Sequence, residues 1–474
     1  MSTTDFLHGV ETIELSDGAR PIKRARMSVV GVIGTAPDAD GTAWPYNTPI
    51  PVYGSRRAIT RLGSRGTLPV ALEGILSQIG ALIVVIRVPE GQTQRQTISA
   101  MVGSPVQKTG VYSFLASRAV INLTPRILIA PSYSAFRPTD GVQSIAVTAA
   151  GAGYTHATVT ITGDGEGAEA EAVIVNGEVQ AINVVKTGLG YTAAAVQIAG
   201  DGNGAAATVT TGACRSPLVA HLQGVADRLR AIVVPDLPNT TTQAAIDYRR
   251  DWGSARLFGA DPWPRIWDNA ISDLATVPAS PYVAGAIAAS DNDPARGVHW
   301  SPSSFEINGV SGLARPIDHS LSDPSAESQI LNSCDIATFV RDNGFRLFGN
   351  RTMSSDPLWQ FLSVRRTADL INDSVEAGVA WALDRPFSVR NLVEVAEGVT
   401  DFMRGLRTDG MTLGGRVWFD PAENTQAKIR SGNWTYDLDM EPPPPAERIT
   451  LRVHRNGDYI DEVVAQASAQ IAAL

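Results

Sequence analysis

The sequence predicts a multi-domain α/β (α+β) chain with an extended arm at each end and an inserted all-β repeat domain. Three observations predict it. Short apolar runs ended by proline, at 126–130 (RILIA) and 231–234 (AIVV), alternate with amphipathic stretches such as 68–80 (LPVALEGILSQIG) and 240–252, as strands and helices do in an α/β unit. The stretch 144–170 repeats at 181–207 with a shift of 37 residues, and a fixed period marks a repeated structural unit. Both termini carry charged, extended segments that bury little alone. A length of 474 residues leaves room for about three domains.

The boundaries read as an N-terminal arm at 1–25, a middle α/β domain from 26–135 and 216–321, the β-repeat domain at 136–215, a C-terminal core domain at 322–446 and a C-terminal arm strand at 447–474. Net charge is -9, which argues against direct nucleic-acid binding by bulk charge. Two cysteines exclude a disulfide scaffold. The start, 1–9 (MSTTDFLHG), lacks the basic and apolar segments of an export signal, so the expectation is a chain made in the cytoplasm. The most apolar run, 80–88 (GALIVVIRV), is too short to cross a bilayer, so no membrane insertion is expected.

The N-terminal segment 10–15 (VETIEL) reads as a short strand, and Asp17-Gly18 as a turn. Acids come first (Asp5, Glu11, Glu14, Asp17) and bases follow (Arg20, Lys23, Arg24, Arg26). This arm is either solvated or laid across a partner with a matching charge pattern. From 22 to 34 the chain is expected to run extended into an apolar strand.

In the repeat, Gly153-Tyr154-Thr155 recurs as Gly190-Tyr191-Thr192, and the GDGxG turn at 163–167 recurs at 200–204. Between 144 and 213 stand Asp164, Glu166, Glu169, Glu171, Glu178 and Asp201 against Lys186 alone. The turns offer oxygen ligands to Ca²⁺, but too few, and a glycine-rich hairpin turn is the preferred reading.

In the C-terminal third, Ser322-Asp323-Pro324 starts a helix to about 331. A hairpin at 337–348 turns at Asn343-Gly344. A long helix over 357–381 carries Phe361, Val364, Ala368, Ile371, Val375 and Val379 on one face. Ser388 caps a second helix, 391–406, whose apolar stripe includes Val395, Val399, Phe402, Met403 and Leu406. Its other face carries Glu394, Glu397, Asp401, Arg404 and Arg407, either solvated or docked on a partner. A strand at 415–419 precedes the acidic 433–441. After the stiff PPPP at 442–445, 448–455 (RITLRVHR) alternates strictly, with Ile449, Leu451 and Val453 on one side. Asn456-Gly457 signals a hairpin, and 459–464 (YIDEVV) is expected to continue extended. This arm either adds a strand to another chain or folds back on its own domain.

The search for chemistry finds no catalytic, cofactor or metal site. The six histidines are scattered, without HExxH, a GxSxG elbow or a phosphate loop. Pro131 and Pro235 end two strands where an α/β cleft would open, but no phosphate loop follows. Asp291-Asn292-Asp293-Pro294 reads as a turn. Cys214 and Cys334 have no neighbouring histidine to activate a thiol.

The ordered motifs resemble a known family. They are Ala289-Ser290, Asp293-Pro294, Arg296-Gly297-Val298-His299-Trp300, Pro302 and Asn308-Gly309-Val310. Leu331-Asn332, Gly344-Phe345-Arg346, Gly349-Asn350-Arg351-Thr352, Trp359-Gln360-Phe361 and Val364-Arg365-Arg366 follow. The beginning, Phe6-Leu7-His8-Gly9-Val10-Glu11, then 29–35 (VVGVIGT) and Asn47-Thr48-Pro49, is similar too. Together they resemble the contractile tail sheath proteins of phages and R-type bacteriocins. Phe348 departs from the pattern where many relatives carry tryptophan, and 136–215 lies outside the shared part.

The resemblance implies a homo-oligomer of hexameric rings stacked helically around a tail tube protein, bounded by baseplate and tail terminator proteins. Such a polymer is assembled in the host cytoplasm and carried in the virion tail. Its contraction drives the tube through the host envelope. It implies strand exchange between subunits through Val10, Ile13 and Leu15 at one end and Ile449, Leu451 and Val453 at the other. It also implies a tube-facing helix at 391–406. In such a polymer Cys214 of one subunit could meet Cys334 of another and form a disulfide; the alternative is two inert thiols. The alternative function is a virion adhesin or carbohydrate-binding protein centred on the repeat. A hydrolase built on the α/β unit is a third reading.

Overall fold

The computed structural model describes residues 21–269 and 271–473; the predicted strand at 10–15, with Val10, Ile13 and Leu15, lies outside them. The chain divides after Pro444 into two compact units.

The larger unit is built on a five-stranded sheet in the order Ile232–Val233, Ile127–Ile129, Val30–Thr35, Leu82–Val88, Ile50–Tyr53. The first four strands are parallel and Ile50–Tyr53 is an antiparallel edge. Parallel strands are covered on both faces, which is why they read as continuous apolar runs. Successive side chains of Leu82–Val88 enter different cores. Ile83 and Val85 pack with the helices Leu68–Gln78 and Ser280–Asn292. Val84, Ile86 and Val88 pack with Gln94–Val102, Pro217–Leu229 and Thr242–Arg250. Among the described residues no helix is long and apolar enough to cross a membrane.

The inserted block forms one six-stranded antiparallel sheet. Gly141–Ala152, Ala157–Gly163 and Glu166–Val175 are followed by Glu178–Leu189, Ala194–Gly200 and Asn203–Gly212, every boundary displaced by 37 residues. The two end strands of the sheet, Asn203–Gly212 and Ala194–Gly200, are consecutive in the chain and in contact, so the sheet curls toward a barrel.

The two repeats lock each other. Asp201 accepts from the Thr155 hydroxyl and from the amides of Thr155 (2.9 Å) and His156 (3.1 Å). Asp164 accepts in the same way from Thr192 and from the amide of Ala193. These bonds hold both carboxyls below the usual carboxylate range. The Tyr154 and Tyr191 hydroxyls accept from the amides of Ala205 and Ala168. A Cβ on Gly165 or Gly202 would lie 2.5 or 2.6 Å from those tyrosine rings, so the turns require glycine. The GDGxG carboxylates are thus turn-bonding groups, and no described cluster of His, Cys, Asp or Glu could hold a metal ion.

The hairpin Thr338–Arg341/Phe345–Phe348 turns through Asp342-Asn343-Gly344, with Asn343 and Gly344 at positive φ, a conformation that asparagine and glycine tolerate. Its Phe339 and Leu347 lie in the same core as Ile83. The predicted helix at 322–331 forms only over Glu327–Ser333, because the Ser320 and Asp323 side chains hold the preceding residues in turns. A third core lies between the helices Leu362–Val379 and Val389–Thr408 and the two-stranded sheet Gly415–Trp418/Asp437–Met440.

In the smaller unit, 445–456 has no regular structure and Asp458–Ala472 is a helix. This corrects the extended reading of 459–464. Asp458 and Asp461 sit in the first turn, where the positive end of the helix dipole favours acids. The following AQASAQIAA is rich in strong helix formers. Those two terms outweigh the β-branched and aromatic signal of YIDEVV.

Candidate assembly surfaces

The Val389–Thr408 helix begins where Ser388 Oγ accepts from the Asn391 amide. It buries Val395, Val399, Phe402, Met403 and Leu406 against the third core. Glu397, Asp401, Arg404 and Arg407 are exposed and Glu394 is half-buried. Asp401 and Arg404 pair at 2.6 Å; an exposed pair of this kind contributes roughly 0.2–1 kcal/mol. Among the described residues nothing buries Glu397, Asp401, Arg404 or Arg407.

Residues 21–29 do not leave as a free arm. Ile22 packs where Gly378 leaves room, since a Cβ there would lie 2.5 Å from it. The Ala25 amide donates to Ser374 Oγ, and Arg24 pairs with Asp409. The segment crosses the third core in irregular conformation and becomes a strand only at Val30.

The sheet Gly415–Trp418/Asp437–Met440 has two strands only, with both outer edges unpaired among the described residues. In the smaller unit Ile449, Leu451 and Val453 are 78%, 84% and 90% exposed.

Cys214 is buried, with Sγ donating to the Gly212 carbonyl, and burial pushes its thiol up. Cys334 is half-buried at the end of Glu327–Ser333. Both thiols are free, and in this conformation Cys214 offers no sulfur to a second subunit.

The cleft expected at Pro131 and Pro235 is filled. Asp236, fully buried, accepts from the amides of Ser132 (2.8 Å) and Ser280 (2.7 Å) and from Ser280 Oγ (2.9 Å). It thereby ties two strand ends to the start of Ser280–Asn292. Burial pushes its carboxyl up to about 6. A raised carboxyl adds stability that is fully present below the usual carboxylate pKa and is lost as pH rises through about 6. Asp236→Ala should therefore destabilise the α/β core by about 2–4 kcal/mol at acidic pH, since two buried amides lose their acceptor. Urea unfolding across that pH range should show the deficit narrowing as pH rises.

A buried ionic seam between the α/β domain and Leu362–Val379 was not read from the sequence. Arg366 and Asp291 are 3% and 4% exposed and pair twice, at 2.6 and 2.7 Å, and Arg366 also donates to the Met27 carbonyl. Asp369 holds Arg256 and Arg365, and Asp373 holds Arg126 and Arg230. Burial raises Asp373 and lowers Arg126. The signal was present: Arg365, Asp369, Asp373 and Glu376 are spaced four, four and three apart, one helix face.

The comparisons with known proteins agree with this architecture. The phage tail sheath protein central domain matches residues 184–353 and the phage tail sheath C-terminal domain matches 354–456. A prophage major tail sheath protein of Pseudomonas aeruginosa (strain UCBPP-PA14) is 30% identical, over 97% of this chain and 99% of that protein. The tail sheath protein of Escherichia phage P2 is 26% identical, over 98% and 100%. The fold is similar to the anti-feeding prophage helical sheath in the contracted state, with a TM-score of 0.60 at 16% identity over 95% of this chain and 99% of that one. The chain belongs to the phage tail sheath family.

Proposed function

We propose that this subunit works as a mechanical polymer of the virion tail. It assembles in the host cytoplasm into hexameric rings stacked helically around the tail tube, between a baseplate and a tail terminator. Collapse from an extended to a contracted packing drives the tube through the host envelope, the energy lying in subunit contacts of two packings. The similar structures of the anti-feeding prophage include a baseplate and a contracted helical sheath, which supports that reading.

The observation that carries it is that the chain has both an exposed alternating arm and a two-stranded sheet with unpaired edges among the described residues. A strand through Ile449, Leu451 and Val453 of one subunit extends the Gly415–Trp418/Asp437–Met440 sheet of another. Arg448, Arg452 and Arg455 bring positive charge to Asp437, Asp439 and Glu441. Val10, Ile13 and Leu15 supply the corresponding strand at the other end.

The Val389–Thr408 helix faces the tube through Glu397, Asp401, Arg404 and Arg407, with Glu394 at the margin. Reversing Glu397 and Asp401 to lysine together should leave the subunit folded and abolish co-sedimentation with the tail tube. Undiminished co-sedimentation would place the tube contact elsewhere.

The β-repeat domain decorates the exterior. Gly141 and Gly212 are paired across the sheet, so the ends of the excursion are about 5 Å apart. Replacing 141–212 by a short Gly-Ser turn should leave polymerisation intact. Loss of polymerisation in a folded variant would assign the domain to subunit contacts instead.

A further inference from the structure

We propose that the C-terminal helix Asp458–Ala472 docks on a second copy of this chain, over the apolar corner between its helices Leu362–Val379 and Val389–Thr408. The inference rests on the arm exchange proposed above and adds a second anchor beyond the strand.

The helix buries none of its residues. Tyr459, Ile460, Val463, Val464 and Ile471 are all exposed, and Ile460, Val464, Ala467 and Ile471 recur at the four-and-three spacing of one apolar stripe. A helix of 15 residues is marginal in water by itself. It needs an apolar surface to cover that stripe.

The corner supplies one. Leu383, Phe387, Val389 and Val393 are exposed. Val389 and Val393 are one turn apart and share a helix face. Phe387 is fixed edge-on against Trp434, with ring centroids 5.5 Å apart, so the surface is held in place before a partner arrives.

Charge selects the occupant. The first turns of the C-terminal helix carry Asp458, Asp461 and Glu462, while the corner carries exposed Arg385 and Arg390 against one exposed acid, Asp384. Acid beside apolar on one element faces base beside apolar on the other, which fixes orientation as well as affinity. Reach is short and sufficient: beyond the exchanged strand 454–457 adds four residues, roughly 13 Å when extended, and the receiving sheet adjoins the corner, where the Tyr436 hydroxyl donates to the Leu392 carbonyl at 3.1 Å.

The test is disulfide trapping in mixed polymers on the tail tube. One population carries Val464→Cys and the other Val393→Cys, with the parent protein as blank. A second mixture, Leu451→Cys with Val417→Cys, reports the strand exchange separately. The proposal expects a covalent dimer from the first mixture on a non-reducing gel. A dimer from the second mixture but not the first overturns the helix docking and leaves the arm exchange standing. Capture of the Val464→Cys chain by the tube protein, or by its own kind alone, overturns it too. Failure of both mixtures in assembled particles overturns both. Should a cysteine variant not assemble, charge reversal decides. Arg385→Glu with Arg390→Glu should weaken assembly and Asp461→Lys with Glu462→Lys should restore it; absence of rescue overturns the docking.

Discussion

A chain ending at Pro444 should melt like the full-length subunit and fail to polymerise on the tail tube. The larger unit has its own cores, none of which includes a residue beyond Met440, and the helix Asp458–Ala472 buries nothing. Removing 445–474 therefore takes no residue from those cores. It does take the segment through which the proposed exchange joins subunits. Burying Ile449, Leu451 and Val453 contributes roughly 1.5–3 kcal/mol each, and the added ladder contributes further hydrogen bonds. A loss of about 5 kcal/mol per junction lowers an association constant by three to four orders of magnitude. Sedimentation velocity with and without tube, beside a thermal melt, reads both parts. Polymers from the truncated chain would remove the arm from the assembly mechanism, and a lowered melting point would make it part of the subunit fold.

The second large effect is expected inside the subunit. Arg366→Met should destabilise by about 3–5 kcal/mol, because it leaves the Asp291 carboxylate buried without a counter-charge. The Met27 carbonyl loses a donor in the same step. Asp291 closes the Ser280–Asn292 helix of the α/β domain and Arg366 belongs to Leu362–Val379, so the pair ties the sheet domain to the core that carries the Gly415–Trp418/Asp437–Met440 sheet. A subunit that transmits force between neighbours needs that tie. The double variant Arg366→Met/Asp291→Leu should recover much of the loss, as apolar replacement of both buried charges often does. Urea unfolding measures all three chains. A single-variant loss under about 1 kcal/mol, the range of the exposed Asp401–Arg404 pair, would mean the seam does not join the domains.

The repeat was the most legible part of the sequence. Its glycines, tyrosines and aspartates recur at one spacing, and each marks a backbone turn whose conformation is local. The reciprocal capture of one repeat's turn by the other's aspartate is a contact in space, and the sequence shows only that both halves possess it. The Val389–Thr408 helix was legible because an N-cap and a 3.6-residue apolar stripe coincide. Of the ionic seam only the helix face of Arg365, Asp369, Asp373 and Glu376 is legible; its partners are not, since Arg126, Arg230 and Arg256 lie over a hundred residues from Asp369 and Asp373, and no local pattern pairs them. The C-terminal helix was misread because Asn456-Gly457 is a strong hairpin signal. Here Gly457 instead precedes an acidic first turn, and helix propensity decides the remainder. The cleft suggested by Pro131 and Pro235 exists as topology, but Asp236 fills it as a structural cap.

Negative-stain electron microscopy of the purified protein with tail tube tests the central claim most directly. The sheath account predicts striated hollow cylinders or stacked rings around the tube, in two lengths when contraction is triggered. Persistent monodisperse globules in the presence of the tube would contradict it.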